Sequence, residues 1–170
     1  NSSSYAYSFE NESDLNGDWV LSQAASIENQ WSFNLGNNNT TWKWENGIAS
    51  DGTSSIKIDR NNMSLGVSAE IVSKAYDLSV LMDPAIKFSW SGASVNAFPV
   101  NELVVSYSDN CGESWKLLGE IGAVEASNSG LYSNSFKPNA SQWNNIVMTK
   151  IITQNGEEIN SLQNPNIRFK

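Results

Sequence analysis

The chain has 170 residues, of which 39% are hydrophobic and 16% charged, enough for one domain that buries roughly 70% of the surface its unfolded form exposes. That balance excludes a disordered tail, and no apolar run approaches the ~20 residues a helix needs to cross a bilayer, so no membrane insertion is expected. Ten Lys and Arg stand against eighteen Asp and Glu, a net charge of −8; the basic residues are scattered and the summed field repels phosphate backbones, so nucleic acid is not an expected partner.

Taken in order, the polar start Asn1 to Ser4 reads as a linker or a processed N-terminus, and residues 5–170 read as a single module without an internal linker. Short β-type runs recur from there: Tyr5 to Phe9, Trp31 to Leu35, Thr41 to Glu45, Ser54 to Ile58, Val67 to Val72 and Ala85 to Ser91. Glu102 to Ser108, Trp115 to Ile121, Trp143 to Ile152 and Asn166 to Phe169 complete the set. Gly36 to Asn39, Asn61-Asn62 and Asn96 to Pro99 supply turn and loop chemistry between them. Helical periodicity of useful length is absent. The class expected is therefore all-β, a two-sheet antiparallel β-sandwich, with Phe88, Trp90, Leu103, Val105, Ile146 and Met148 turned inward.

The clearest element runs from Asn101 to Leu118. Leu103, Val105 and Tyr107 alternate with Val104, Ser106 and Ser108, the period-2 mark of a strand with one buried face. Asp109 to Ser114 interrupts it, Gly112 can adopt the positive φ of a tight turn, and Trp115 opens the return strand. Cys111 in this turn reads either as a small residue packed under the loop or as a reactive thiol; the chain has no histidine to activate it, and Asp109 and Glu113 stand beside it, which favours the first reading.

The stretch Ser-Asp-Asn-Cys-Gly-Glu-Ser-Trp, Ser108 to Trp115, resembles the strand-turn-strand element of MAM-like and cleaved-adhesin-like jelly-roll modules of large secreted bacterial proteins. Tyr7 to Glu10 with Trp19 after it, Tyr76 to Ser79 before Ile86-Lys87-Phe88, and Phe136-Lys137-Pro138 followed by Trp143 fall in the matching order across nearly the whole chain. The resemblance implies a jelly-roll topology and a non-catalytic accessory or interaction module, secreted, as found next to pappalysin-like metallopeptidase domains or in adhesins. It also implies partners among the neighbouring domains of the same polypeptide, and a carboxylate at the end of the first strand, here Glu10, that helps hold a structural calcium ion. Related modules usually finish with a further strand carrying an aspartate-rich end beyond the element that here reads Asn166 to Lys170, so the resemblance implies either a fragment of a longer polypeptide or a last strand supplied from elsewhere.

Chemistry read from the residues themselves points the same way. The absence of histidine removes the commonest general base, the Ser-His and Cys-His dyads and most zinc sites. No P-loop, nucleophile elbow or dinucleotide fingerprint is present. Glu102, Glu113, Glu120 and Glu125 are the available carboxylates for glycoside hydrolysis, but they form no clustered acid motif, and no enzyme activity is expected. Calcium suits the oxygen-rich composition better: Asp51, in the turn Asp51-Gly52-Thr53-Ser54, is a second candidate ligand beside Glu10. The alternatives are a simple Asx-turn at Asp51 and a solvated strand end at Glu10. Trp42 and Trp44 share one face of their strand, opposite Lys43 and Glu45. Facing outward they would make a stacking platform for a polysaccharide; facing inward they are core. Trp19, Trp90, Trp115 and Trp143 are expected to pack, and Trp31 is open.

Overall fold

Strands make up most of the regular secondary structure in the computed structural model, and helix among the described residues is limited to Glu12-Ser13, the single turn α1 (Ala123–Ala126) and the 3-10 turn Ala140–Gln142. The protein is all-β, as the absence of helical periodicity requires. The structure describes residues 9–13, 19–24, 42–59, 68–99, 101–132 and 135–170; the expected strand Trp31 to Leu35, most of Tyr5 to Phe9 and the polar start lie outside them. The chain falls into two compact units, one built on Ala75–Phe169 and the other on Tyr7–Lys74 with Lys170.

In the Tyr7–Lys74 unit, β1 (Trp19–Ala24) pairs antiparallel with β4 (Ser68–Ser73), from Trp19 opposite Ser73 to Ala24 opposite Ser68. β2 (Lys43–Asn46) pairs with β3 (Ser54–Lys57), with Trp44 opposite Ile56 and Asn46 opposite Ser54. The two faces of this hairpin differ as alternation dictates. Trp44 and Ile56 are half-buried and Ser54 fully buried on one, whereas Lys57 and Glu45 form an ion pair of 2.6 Å on the other. β1 was not among the expected strands. Its Trp19-Val20-Leu21 run does not alternate, and a short apolar run without alternation does not distinguish strand from helix.

The Ala75–Phe169 unit holds the main core. β6 (Leu103–Ser108) is the centre of a three-stranded sheet between β7 (Lys116–Ile121) and β11 (Arg168–Phe169). β5 (Ile86–Trp90) pairs with β8 (Asn144–Met148) in a second sheet. Both contribute to one hydrophobic cluster: Val105, Tyr107, Leu118, Ile121 and Phe169 from the first, and Trp90 and Met148 from the second, are buried together with Leu78, Leu162 and Ile167. Phe88, Leu103 and Ile146 pack against it, so all six residues expected to turn inward belong to this core. Met148 reaches β7 closely enough that a Cβ on Gly119 would sit 3.0 Å from its sulfur. Among the described residues of this unit the sheets are small and unclosed.

Two irregularities modify simple alternation. Val105 pairs with Gly119 but Ser106 pairs with Leu117, so Leu118 is the extra residue of a β-bulge. The bulge puts Leu118 and Ile121 into the core three residues apart and leaves Leu117 exposed. The expected long strand Trp143 to Ile152 is also broken, into β8 and β9 (Ile151–Gln154), and β9 folds back on β10 (Glu157–Asn160). The fold-back is a two-residue turn, Asn155-Gly156, with φ of 55° and 84°, the doubly left-handed geometry of a type I′ hairpin that Asn-Gly favours.

Candidate functional site

Of the predicted site residues, Asp51 lies in the loop joining β2 to β3, Trp44 on β2 with Trp42 just before it, and Glu10 in the segment ahead of β1. Gly47 and Gly52 hold φ of 78° and 77°, which lets the chain reverse, and Gly47 N–H donates to Thr53 O at 2.8 Å across the neck of the loop. Glu10 docks on this loop. Thr53 N–H donates to Glu10 Oε2 at 3.1 Å and to Oε1 at 3.3 Å, and Thr53 Oγ1 donates to Oε2 at 2.6 Å. The carboxylate lies so close to Gly52 that a Cβ there would fall 2.1 Å from Oε1. A side chain at this position would displace the carboxylate and be strained at this φ.

Glu10 is therefore not a solvated strand end, and Phe9 beside it is not in a strand: its φ is 51° and its carbonyl accepts the Trp44 indole N–H at 2.8 Å. Asp51 lies on the same loop, exposed, with Oδ1 accepting from Gly52 N–H at 3.0 Å. The fold thus brings Glu10 to the Asp51 turn across 41 positions of sequence (51 − 10). Among the described residues no group of three or more His, Cys, Asp or Glu side chains is placed to hold a metal ion, so a cation here would depend on hydroxyl, carbonyl or water oxygens for its remaining ligands, a set calcium accepts.

Trp42 and Trp44 both send their indole N–H inward. Trp44 reaches Phe9 O, and Trp42 Nε1 donates to Ala69 O of β4 at 3.2 Å. Each ring is half-buried, and each ties the hairpin to another segment of its unit. Of the other tryptophans, Trp90 is buried and Trp115 and Trp143 are half-buried, with Trp143 Nε1 enclosed and without a hydrogen-bond partner among the described residues; Trp31 and the side chain of Trp19 lie outside the described residues.

The β6–β7 turn, which carries the quoted resemblance, is a closed hydrogen-bond network. Ser108, fully buried, donates through Oγ to Asn110 Oδ1 at 2.8 Å and accepts from Gly112 N–H at 2.8 Å and Asn110 N–H at 3.3 Å. Asn110 also accepts from Ser114 N–H at 3.0 Å and donates to Ser114 Oγ at 2.9 Å. Cys111 and Gly112 have φ of 63° and 94°. Cys111 is exposed, which corrects the expectation that it packs under the loop: Ser108 and Asn110 fill that place. Lys116 Nζ meets Asp109 Oδ2 at 2.6 Å, and this bond raises the lysine pKa above its ordinary value despite slight opposing desolvation. Glu102, Glu113, Glu120 and Glu125 are all exposed.

One polar centre in the Ala75–Phe169 unit had no sequence signal. Asn160 Nδ2 lies within hydrogen-bond distance of Asp83 Oδ1 at 3.0 Å, Pro84 O at 2.9 Å and Thr149 Oγ1 at 2.9 Å, while its Oδ1 accepts from the buried Leu162 N–H at 3.0 Å. Its partners are 77, 76 and 11 positions away, and only the folded chain assembles them. Comparison with protein-family models, with curated proteins and with solved structures finds no match to this chain.

Proposed function

We propose that this chain is a non-catalytic accessory or interaction module of a secreted multidomain protein, of jelly-roll sandwich type, that packs against a neighbouring domain. The observation that carries the reading is the β6–β7 turn, where Ser108, Asn110 and Ser114 satisfy one another and Asp109 is paired with Lys116. Its polar groups are taken up in holding the turn rather than in catalysis, and a surface loop positioned on a strand scaffold is a usual place for binding residues. The resemblance of this same segment to MAM-like and cleaved-adhesin-like modules supplies the secreted context and the candidate parents, a metallopeptidase or an adhesin.

Calcium enters this proposal as a structural ion at Glu10 and Asp51, pinning the segment before β1 to the β2–β3 loop. A ligand that binds only the native state stabilises it by RT ln(1 + [L]/Kd), about 2.7 kcal/mol at ~100 times Kd. Thermal midpoints with excess calcium and with chelator should therefore differ, and Glu10→Gln should abolish the difference. Coincident midpoints would remove the ion from the proposal.

The half-exposed rings of Trp42 and Trp44 on one face favour a second reading, a carbohydrate-binding module. Polysaccharide affinity electrophoresis separates the two. Retention lost on Trp44→Ala supports the second, whereas no retention across broad panels, with a higher thermal midpoint for the chain inside its parent polypeptide than alone, supports the first. If the midpoint is the same in both settings, packing against a neighbour is refuted.

A further inference from the structure

Asn-Gly occurs twice among the described residues, and the fold holds the two copies differently. Asn46 closes β2 opposite Ser54. Its Oδ1 accepts from Ser54 Oγ at 3.4 Å, and the N–H of the following Gly47 is bonded to Thr53 O at 2.8 Å. Asn155 and Gly156 instead form the exposed two-residue loop of the β9–β10 hairpin. Gln154 and Glu157 are the last paired residues, and neither the Asn155 side chain nor the Gly156 N–H has a hydrogen bond among the described residues.

We propose that Asn155 is a site of spontaneous deamidation through a succinimide, and that the fold suppresses the same reaction at Asn46. The nucleophile is the Gly156 backbone nitrogen, which attacks Cγ of Asn155. A glycine at this position offers no Cβ to obstruct the approach. The new N–Cγ bond forms as the Cγ–Nδ2 bond breaks, and the amide proton leaves with Nδ2 as ammonia. Solvent water then opens the cyclic imide at either carbonyl, giving aspartate or isoaspartate, so the net change is asparagine plus water to acid plus ammonia.

Attack requires the peptide plane after Asn155 to rotate. Nothing bonded to Gly156 N–H opposes that rotation, whereas at Gly47 the bond to Thr53 O must first break. The product matters to the hairpin. Aspartate at 155 adds a negative charge two residues from Glu157. Isoaspartate lengthens the backbone of a two-residue loop whose geometry sets the pairing of Ile152 with Ile159.

The test is peptide mapping by mass spectrometry of the intact native chain during incubation at mildly alkaline pH, with a parallel incubation in urea. Losing one hydrogen bond is worth about tenfold in rate, so native Asn155 should convert about tenfold faster than native Asn46, with the two rates drawing together in urea. Equal native rates, a faster Asn46, or a native Asn155 that stays intact while the unfolded chain converts would each overturn the proposal. So would the same rate ratio in urea, since local sequence rather than the fold would then set it.

Discussion

Replacing Gly52 by alanine probes the contact on which the Glu10 site depends. The added Cβ would fall 2.1 Å from Glu10 Oε1 and 2.8 Å from Cδ, so the carboxylate must swing away and release Thr53 N–H and Oγ1. Losing these largely exposed charge-assisted bonds costs about 1 kcal/mol. Holding a non-glycine residue at the φ of 77° adds about 1 kcal/mol more. The expected total of about 2 kcal/mol moves the urea midpoint by about 1 M at a typical slope. Glu10→Ala alone should cost about 1 kcal/mol, and the double variant about 2 rather than 3 kcal/mol, because the clash disappears with its partner. Amide exchange at Thr53 gives the local reading, since a chain of two compact units need not unfold in one step. Additive costs, or a Thr53 amide that stays protected in the Gly52→Ala variant, would refute this account of the loop.

Asn160→Ala should destabilise the Ala75–Phe169 unit by about 2 kcal/mol in denaturant titration, because Leu162 N–H is left buried without its acceptor. Ile121→Ala, at a side chain that is fully buried beside Leu118 and Met148, should cost about 3 kcal/mol by the same measurement. The raised pKa of Lys116 makes the Asp109 pair a small, pH-dependent stabiliser: it is present in full below the ordinary lysine pKa of about 10.4 and lost as pH rises through the higher folded value. The difference in thermal midpoint between the native chain and Asp109→Asn should accordingly vanish above that range; a difference that persists there would mean Asp109 acts through the turn rather than through Lys116.

Local chemistry was enough to determine the strand class and the β6–β7 hairpin. Alternation from Leu103 to Tyr107 selects the buried face, because successive side chains of a strand point to opposite sides, and Gly112 marks the turn because its φ of 94° suits no other residue well. Asn155-Gly156 was equally legible as a hairpin turn, and reading one continuous strand from Trp143 to Ile152 passed over it. The tertiary structure alone decided where side chains from distant segments meet. Whether Trp42 and Trp44 face in or out is degenerate in a period-2 pattern; only the fold shows that their indole N–H groups reach the carbonyls of Ala69 and Phe9 while the rings stay half-exposed. The bulge at Leu118 depends on its partner strand, since an extra residue exists only relative to the register opposite. Glu10 on Thr53 and Asn160 among Asp83, Pro84 and Thr149 join residues far apart in the chain, and such contacts are selected by the packing of the whole unit rather than by any local preference of the residues that make them.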